Sequence, residues 1–183
     1  MTRQGKLIVL SGPGGVGKST IVNELRKKDH FYFSVSATTR APRNGEVDGV
    51  AYHFVSESKF QEMIHNDIFL EWADFAGARY GTPREPVLEA LSSGKDVLLE
   101  IEIEGARQVK RAIPEAMMVF LHPPSMAELE ARITNRGTDS PKRIAARLAL
   151  ARAEMAAAPE FDYIVTNHRV EEVIDALVSL ATS

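Results

Sequence analysis

Gly12, four further residues, then Gly17, Lys18 and Ser19 form a spacing suited to holding a polyphosphate. The run reads Gly12, Pro13, Gly14, Gly15, Val16, Gly17, Lys18, Ser19, Thr20. Its glycines permit backbone conformations and close approaches that a Cβ would block. Successive N–H groups then turn toward an anion at the positive end of the helix that follows. Lys18 reaches β- and γ-phosphates, and the Ser19 hydroxyl is a ligand for Mg²⁺. The bland alternative is a glycine-rich turn that carries a lysine. An apolar run at 7–10 before the loop, and Ile21, Val22 and Leu25 on one helical face after it, argue against that. The expected ligand is a nucleoside triphosphate.

A second group of phosphate-seeking side chains follows. Ser34, Ser36, Thr38 and Thr39 precede Arg40 and Arg43, and Tyr52 comes soon after. Two arginines three apart, beside hydroxyls, suit a phosphate dianion because the guanidinium fork pairs two oxygens at once. A solvated basic loop remains the alternative. A third group is Arg132, Arg136, Arg143 and Arg147, two pairs spaced four apart and so each sharing a helix face. Here the alternative is a surface face paired with Glu128 and Asp139. The five histidines lack metal-ligand spacing and read as structural or surface residues. Trp72, Met117 and Met118 read as core.

The elements that must position these groups alternate strand and helix. Residues 6–10 read as a buried strand and 18–28 as a helix, with a short aromatic and β-branched strand at 31–35. The stretch 37–49 is polar and rich in Arg, Pro, Asn and Gly, and is expected as a long functional loop. Tyr52, Phe54 and Val55 alternate like a half-wet strand, and Ser56 caps a helix with Phe60, Met63 and Ile64 on one face. Strands at 69–75 and 78–82 turn at Gly77, and a helix at 83–93 stops at Gly94. The core resumes with a doubly covered strand at 96–101, a helix at 105–112 and a strand at 117–121. A helix carrying Leu129 and Ile133, a loop at 135–140, a helix at 142–158, a strand at 161–165 and a closing amphipathic helix complete the chain. This order predicts an α/β fold: a mostly parallel sheet covered on both sides, with a small α+β insertion at about 37–90.

The chain has 183 residues, enough for one domain with a substantial core, and is 44% hydrophobic and 26% charged. A net charge of −3 gives no overall basic field, so a nucleic-acid partner is not expected. With no cysteine there are no disulfides or thiolate metal sites. No apolar run approaches the roughly 18 residues of a membrane span, and the first residues lack a signal-peptide core. A cytoplasmic protein without a membrane partner is therefore expected; self-association is left open.

The run Thr38-Thr39-Arg40-x-x-Arg43-x-x-Glu46-x-x-Gly49-x-x-Tyr52-x-Phe54 resembles the signature of guanylate kinases along its whole length. The resemblance continues through Phe69-Leu70-Glu71-Trp72, Tyr80-Gly81-Thr82, Pro123-Pro124-Ser125 and Arg136-Gly137-Thr138, and so spans nearly the whole chain. It implies transfer of the γ-phosphate of ATP to GMP with Mg²⁺, giving ADP and GDP. It also implies a P-loop three-layer sandwich with core 1–36, 91–126 and 159–183, a GMP-binding insertion at 37–90 and a helical lid at 127–158. By the resemblance, residues 12–20 hold ATP, and Ser36, Arg40, Arg43, Tyr52 and Tyr80 hold the GMP phosphate. Glu71 and Thr82 read the guanine with Glu100 close by, while Arg132, Arg136 and Arg147 reach the phosphates from the lid. Lys18 and Arg40 would join these lid arginines in catalysis.

Guanine chemistry agrees with a carboxylate at Glu71. Guanine presents N1–H and N2–H₂ side by side, two donors for one carboxylate, whereas adenine turns an unprotonated N1 to that edge. A mismatched polar edge of this kind gives discrimination on the order of 10⁴. No catalytic base is required, since the acceptor phosphate is already ionised and positioning with charge neutralisation dominates. The chain departs from the family at Glu100-Ile101-Glu102, where Asp-x-Asp is common. That departure keeps a kinase for another phosphorylated acceptor in view. A non-catalytic, partner-binding module would be expected to have a degraded loop and further domains, whereas Gly12, Gly17, Lys18 and Ser19 are intact.

Overall fold

The computed structural model describes residues 3–135, 137 and 139–183. Its centre is strand β1 (Leu7–Ser11), buried along its full length. Side chains alternate across a strand, so β1 feeds two cores. Ile8 and Leu10 pack with Ile21 and Leu25 of α1 (Lys18–Arg26) and with Val173 and Leu177 of α7 (Val170–Thr182). Leu7 and Val9 pack on the opposite face with Val87 and Leu91 of α3 (Arg84–Ser92) and Val109 of α4 (Ile103–Ala112). Burial on both faces explains the near-continuous apolar strands.

The main sheet has the order β2-β7-β1-β8-β9, every pairing parallel. Its other members are β2 (Phe31–Tyr32), β7 (Asp96–Glu100), β8 (Met117–His122) and β9 (Tyr163–Thr166). A separate mixed sheet has the order β4-β3-β6-β5, built from β3 (Ala37–Thr38), β4 (His53–Phe54), β5 (Phe69–Phe75) and β6 (Ala78–Pro83). Helix α2 (Glu57–His65) covers it through Phe60, which packs with Ala37, Phe69 and Trp72. The β5–β6 hairpin turns at Ala76 and Gly77, both at positive φ, the twist that suits a two-residue connection. Helices α5 (Met126–Thr134) and α6 (Pro141–Met155) start at Ser125 and Ser140, whose side chains accept from Glu128 N and Arg143 N.

The α/β fold expectation holds, with local differences. Only Phe31 and Tyr32 pair with β7, because the chain leaves the sheet edge there; Phe33 instead lies under the Arg26 guanidinium, 4.4 Å from its ring centre. Ala37 and Thr38, read as loop, are a strand paired with β6, a segment too short to show alternation in sequence. Helix α1 stops at Arg26, and α4 starts at Ile103, ahead of the glycine expected to begin it. Helix α6 ends at Met155, since Pro159 forces a short 3₁₀ turn at Ala158–Glu160. The insertion is expected from sequence to run to residue 90, yet α3 buries Val87, Ala90 and Leu91 against the main sheet. Among the described residues no helix is long and apolar enough to cross a membrane.

Candidate active site

The loop after β1 is shaped by what surrounds it. A Cβ on Gly12 would lie 2.5 Å from the Leu121 carbonyl oxygen. Gly17 has φ of +105°, and a Cβ there would lie 2.8 Å from Asn167 Nδ2. That same Asn167 amide donates to the Val16 carbonyl at 2.9 Å, and Arg132 Nη1 donates to it at 3.1 Å. Two distant elements, α5 and the segment after β9, therefore fix the loop. Pro13 and Val16 are buried, whereas Gly14, Ser19 and Thr20 are exposed.

Lys18 Nζ donates to the carbonyl oxygens of Gly12 at 2.6 Å and Pro13 at 3.2 Å. Burial lowers its pKa, opposed by the nearby Glu100, Glu154 and Glu102 carboxylates. Ser19 Oγ donates to Glu100 Oε1 at 3.3 Å. Partial desolvation in the cleft raises the Glu100 pKa, with Lys18, Ser19 and Arg26 pulling the other way. Gly14 N–H, at the mouth of the loop, donates to Glu154 Oε2 of α6 at 3.0 Å.

A recess of about 130 Å³ adjoins the loop, and Glu100 is common to both. Ser34, Ser36, Tyr52, Thr82 and Arg26 also line it. Ser34 Oγ and Arg40 Nε are buried there or nearby without a hydrogen-bond partner among the described residues. Arg40 is gripped by Glu46, Nη1 to Oε2 and Nη2 to Oε1, both at 2.9 Å. Arg43 N–H donates to the same carboxylate at 2.7 Å, and the Arg40 fork with this amide holds the Glu46 pKa down at about 2. The Arg40 guanidinium lies 5.3 Å from the Tyr52 ring centre, and Tyr80 meets Tyr52 edge-on at 5.9 Å. The Arg43 side chain is exposed.

Glu71 and Thr82 are register partners across β5 and β6. Thr82 Oγ1 donates to Glu71 Oε1 at 2.6 Å, and both residues are buried. Burial pushes the Glu71 pKa up to about 6 against the Thr82 hydrogen bond, with Glu102 adding to the rise. Arg132 Nη2 of α5 pairs with Glu128 at 2.6 Å, and Arg147 Nη1 of α6 pairs with Asp139 at 2.6 Å. Arg136 lies outside the described residues. A larger recess, about 350 Å³, sits between α4 and Phe161, but its Arg107 and Lys110 are already paired with Glu160 and Asp162.

A family model described as guanylate kinase matches residues 4–183. The chain belongs to the guanylate kinase family. It is 55% identical to the guanylate kinase of Thermobifida fusca, over 96% of this chain and 90% of that one. It is 54% identical to the guanylate kinase of Nocardia farcinica, over 100% and 96% of the two chains. The crystal structure of guanylate kinase from Anaplasma phagocytophilum superposes with a TM-score of 0.79 at 30% identity, covering 99% of this chain and 86% of that one. The shared fold is, in this guanylate kinase, a five-stranded parallel sheet joined to a separate small mixed sheet. Its reaction is that of the family, ATP and GMP to ADP and GDP.

For a guanylate kinase site, sequence reasoning passes over Asn167, Glu154 and the grip of Glu46 on Arg40. Glu46 stands in the signature and is within reach of notice. Asn167 and Glu154 carry no local pattern, since each meets the loop only through the tertiary fold.

Proposed function

We propose that the loop of residues 12–20 holds the ATP polyphosphate and that the recess beside Glu100 takes GMP. The observation that carries this assignment is the buried Glu71–Thr82 pair beside a recess that shares Glu100 with Ser19. Lys18 would leave the carbonyls of Gly12 and Pro13 to follow the phosphates. Arg40, pre-aimed by Glu46 and backed by Tyr52, would hold the acceptor phosphate with Ser36, Arg43, Tyr52 and Tyr80. Glu71 would accept the two guanine donors while the Thr82 hydroxyl holds its Oε1 in place. Glu100, at the seam, orients Ser19.

Mg²⁺ fits this donor set, since Ser19 supplies one hard oxygen, Glu100 stands beside it, and the cation takes most remaining ligands from phosphate and water. When bound it would neutralise charge on the β- and γ-phosphates. Residues 127–158 act as a lid: Arg132 and Arg147 exchange Glu128 and Asp139 for the transferring phosphoryl group, and closure excludes water. Arg136 is assigned the same task on the resemblance alone. The catalytic set is thus Lys18, Arg40, Arg132, Arg136 and Arg147, with no general base.

Coupled ADP release with GMP, AMP, UMP and CMP as acceptors tests the assignment. GMP is expected to exceed every other acceptor in kcat/KM by about 10³ or more. AMP or UMP outperforming GMP would overturn it.

A further inference from the structure

Gly105 stands in the first turn of α4, at an ordinary helical φ, so backbone freedom does not explain a glycine there. Space does. A Cβ at this position would lie 2.5 Å from Glu71 Oε2, 3.2 Å from Glu71 Cδ and 3.5 Å from Ile101 Cβ. Nothing else in the surroundings approaches as closely as that carboxylate. The strand cannot simply back away. Gln108, one turn along α4, clamps Trp72 by accepting from its N–H at 3.0 Å and donating to its carbonyl at 2.8 Å. Trp72 follows Glu71 directly, so β5 and α4 are locked in register beside the contact. The other carboxylate oxygen is held by Thr82 at 2.6 Å.

We propose that Gly105 is a positioning residue for acceptor selection: its missing Cβ makes the space in which the Glu71 carboxylate lies against the first turn of α4. This deepens, and rests on, the assignment of Glu71 as the guanine-reading group. With the backbone clamped at Trp72 and one oxygen tethered to Thr82, a methyl at Gly105 displaces the carboxylate itself. The effect falls on GMP and not on ATP, because the nearest neighbours of a Cβ at Gly105 are Glu71 and Ile101 and not the proposed ATP loop. Removing one methylene from residue 71 draws the carboxylate back from the new methyl.

The test is steady-state kinetics on wild type, Gly105→Ala, Glu71→Asp, the double variant Gly105→Ala/Glu71→Asp, and Glu71→Gln. Gly105→Ala is expected to raise KM for GMP by about tenfold and leave KM for ATP within about twofold. Glu71→Asp is expected to be less harmful in the Gly105→Ala background than in wild type, a non-additivity of neighbours in contact. An unchanged KM for GMP, or a loss that Glu71→Asp merely adds to, overturns the inference. Glu71→Gln separates the two levels. If it relaxes GMP over AMP selectivity while Gly105→Ala changes nothing, the guanine assignment stands and the Gly105 role falls. If Glu71→Gln leaves selectivity intact, the guanine assignment falls and takes the Gly105 role with it. Should Gly105→Ala fail to fold by circular dichroism, Gly105→Ala/Glu71→Ala decides: recovery of the fold supports the carboxylate contact, and continued unfolding overturns it.

Discussion

Glu71 brings together burial, titration and selectivity. Its pKa of about 6, against an ordinary 4.5, means the folded chain keeps a proton there that the unfolded chain has released. The folded state then binds more protons than the unfolded state, so stability falls as pH rises through that window. Between pH 5 and 7 the loss attributable to Glu71 is about 1 kcal/mol. Urea unfolding of wild type and Glu71→Gln at both pH values measures it. Wild type is expected to lose more than the variant; equal losses would mean that Glu71 titrates normally. This residue and its partner Thr82 are legible in the sequence because both fall in short runs, Phe69-Leu70-Glu71-Trp72 and Tyr80-Gly81-Thr82, that carry the family resemblance beyond its signature. Gly105 is not, since a glycine's reason for being small lies in a neighbour on a different element, far back along the chain.

Among the elements, α6 has a part that its Ala-rich sequence does not announce. Glu154 near its C-terminal end accepts the Gly14 N–H, one of the amides an anion would use. Proximity to Glu154 also helps raise the Glu102 pKa, after burial, so negative charge is concentrated beside the proposed polyphosphate site. Glu154→Gln keeps the shape and removes the repulsion. It is expected to tighten ATP binding about fivefold by calorimetry, in line with a charge-assisted bond lost to a competing carboxylate. Weaker ATP binding would show that Glu154 assists the donor site. The strands and helices themselves are legible wherever burial marks the sequence, as a continuous apolar run in β1 and β7 and as a one-face period in α7. Two-residue strands such as β3 are not, because pairing with β6 makes them strands, and pairing is non-local.

At the scale of the molecule, the parallel sheet brings the carboxyl ends of β1 and β7 together, side by side in register at Leu10 and Glu100. One end leads into the glycine loop and the other carries Glu100, the wall between loop and recess. The second sheet then presents Thr82 and Glu71 from strands, and Tyr52 from just before β4, none of them a sequence neighbour of the loop. A chain of net charge −3 would thus serve both proposed anion sites with local cations at one edge. On this assignment the loop and the recess open into a single cleft, meeting at Glu100.

Calorimetry with adenosine and guanosine joined through five phosphates tests that most directly. One molecule is expected to bind per chain, at least about tenfold tighter than ATP alone, with Lys18→Ala and Arg40→Ala each weakening it. Two molecules per chain, or an affinity no better than that of ATP, would contradict a shared cleft.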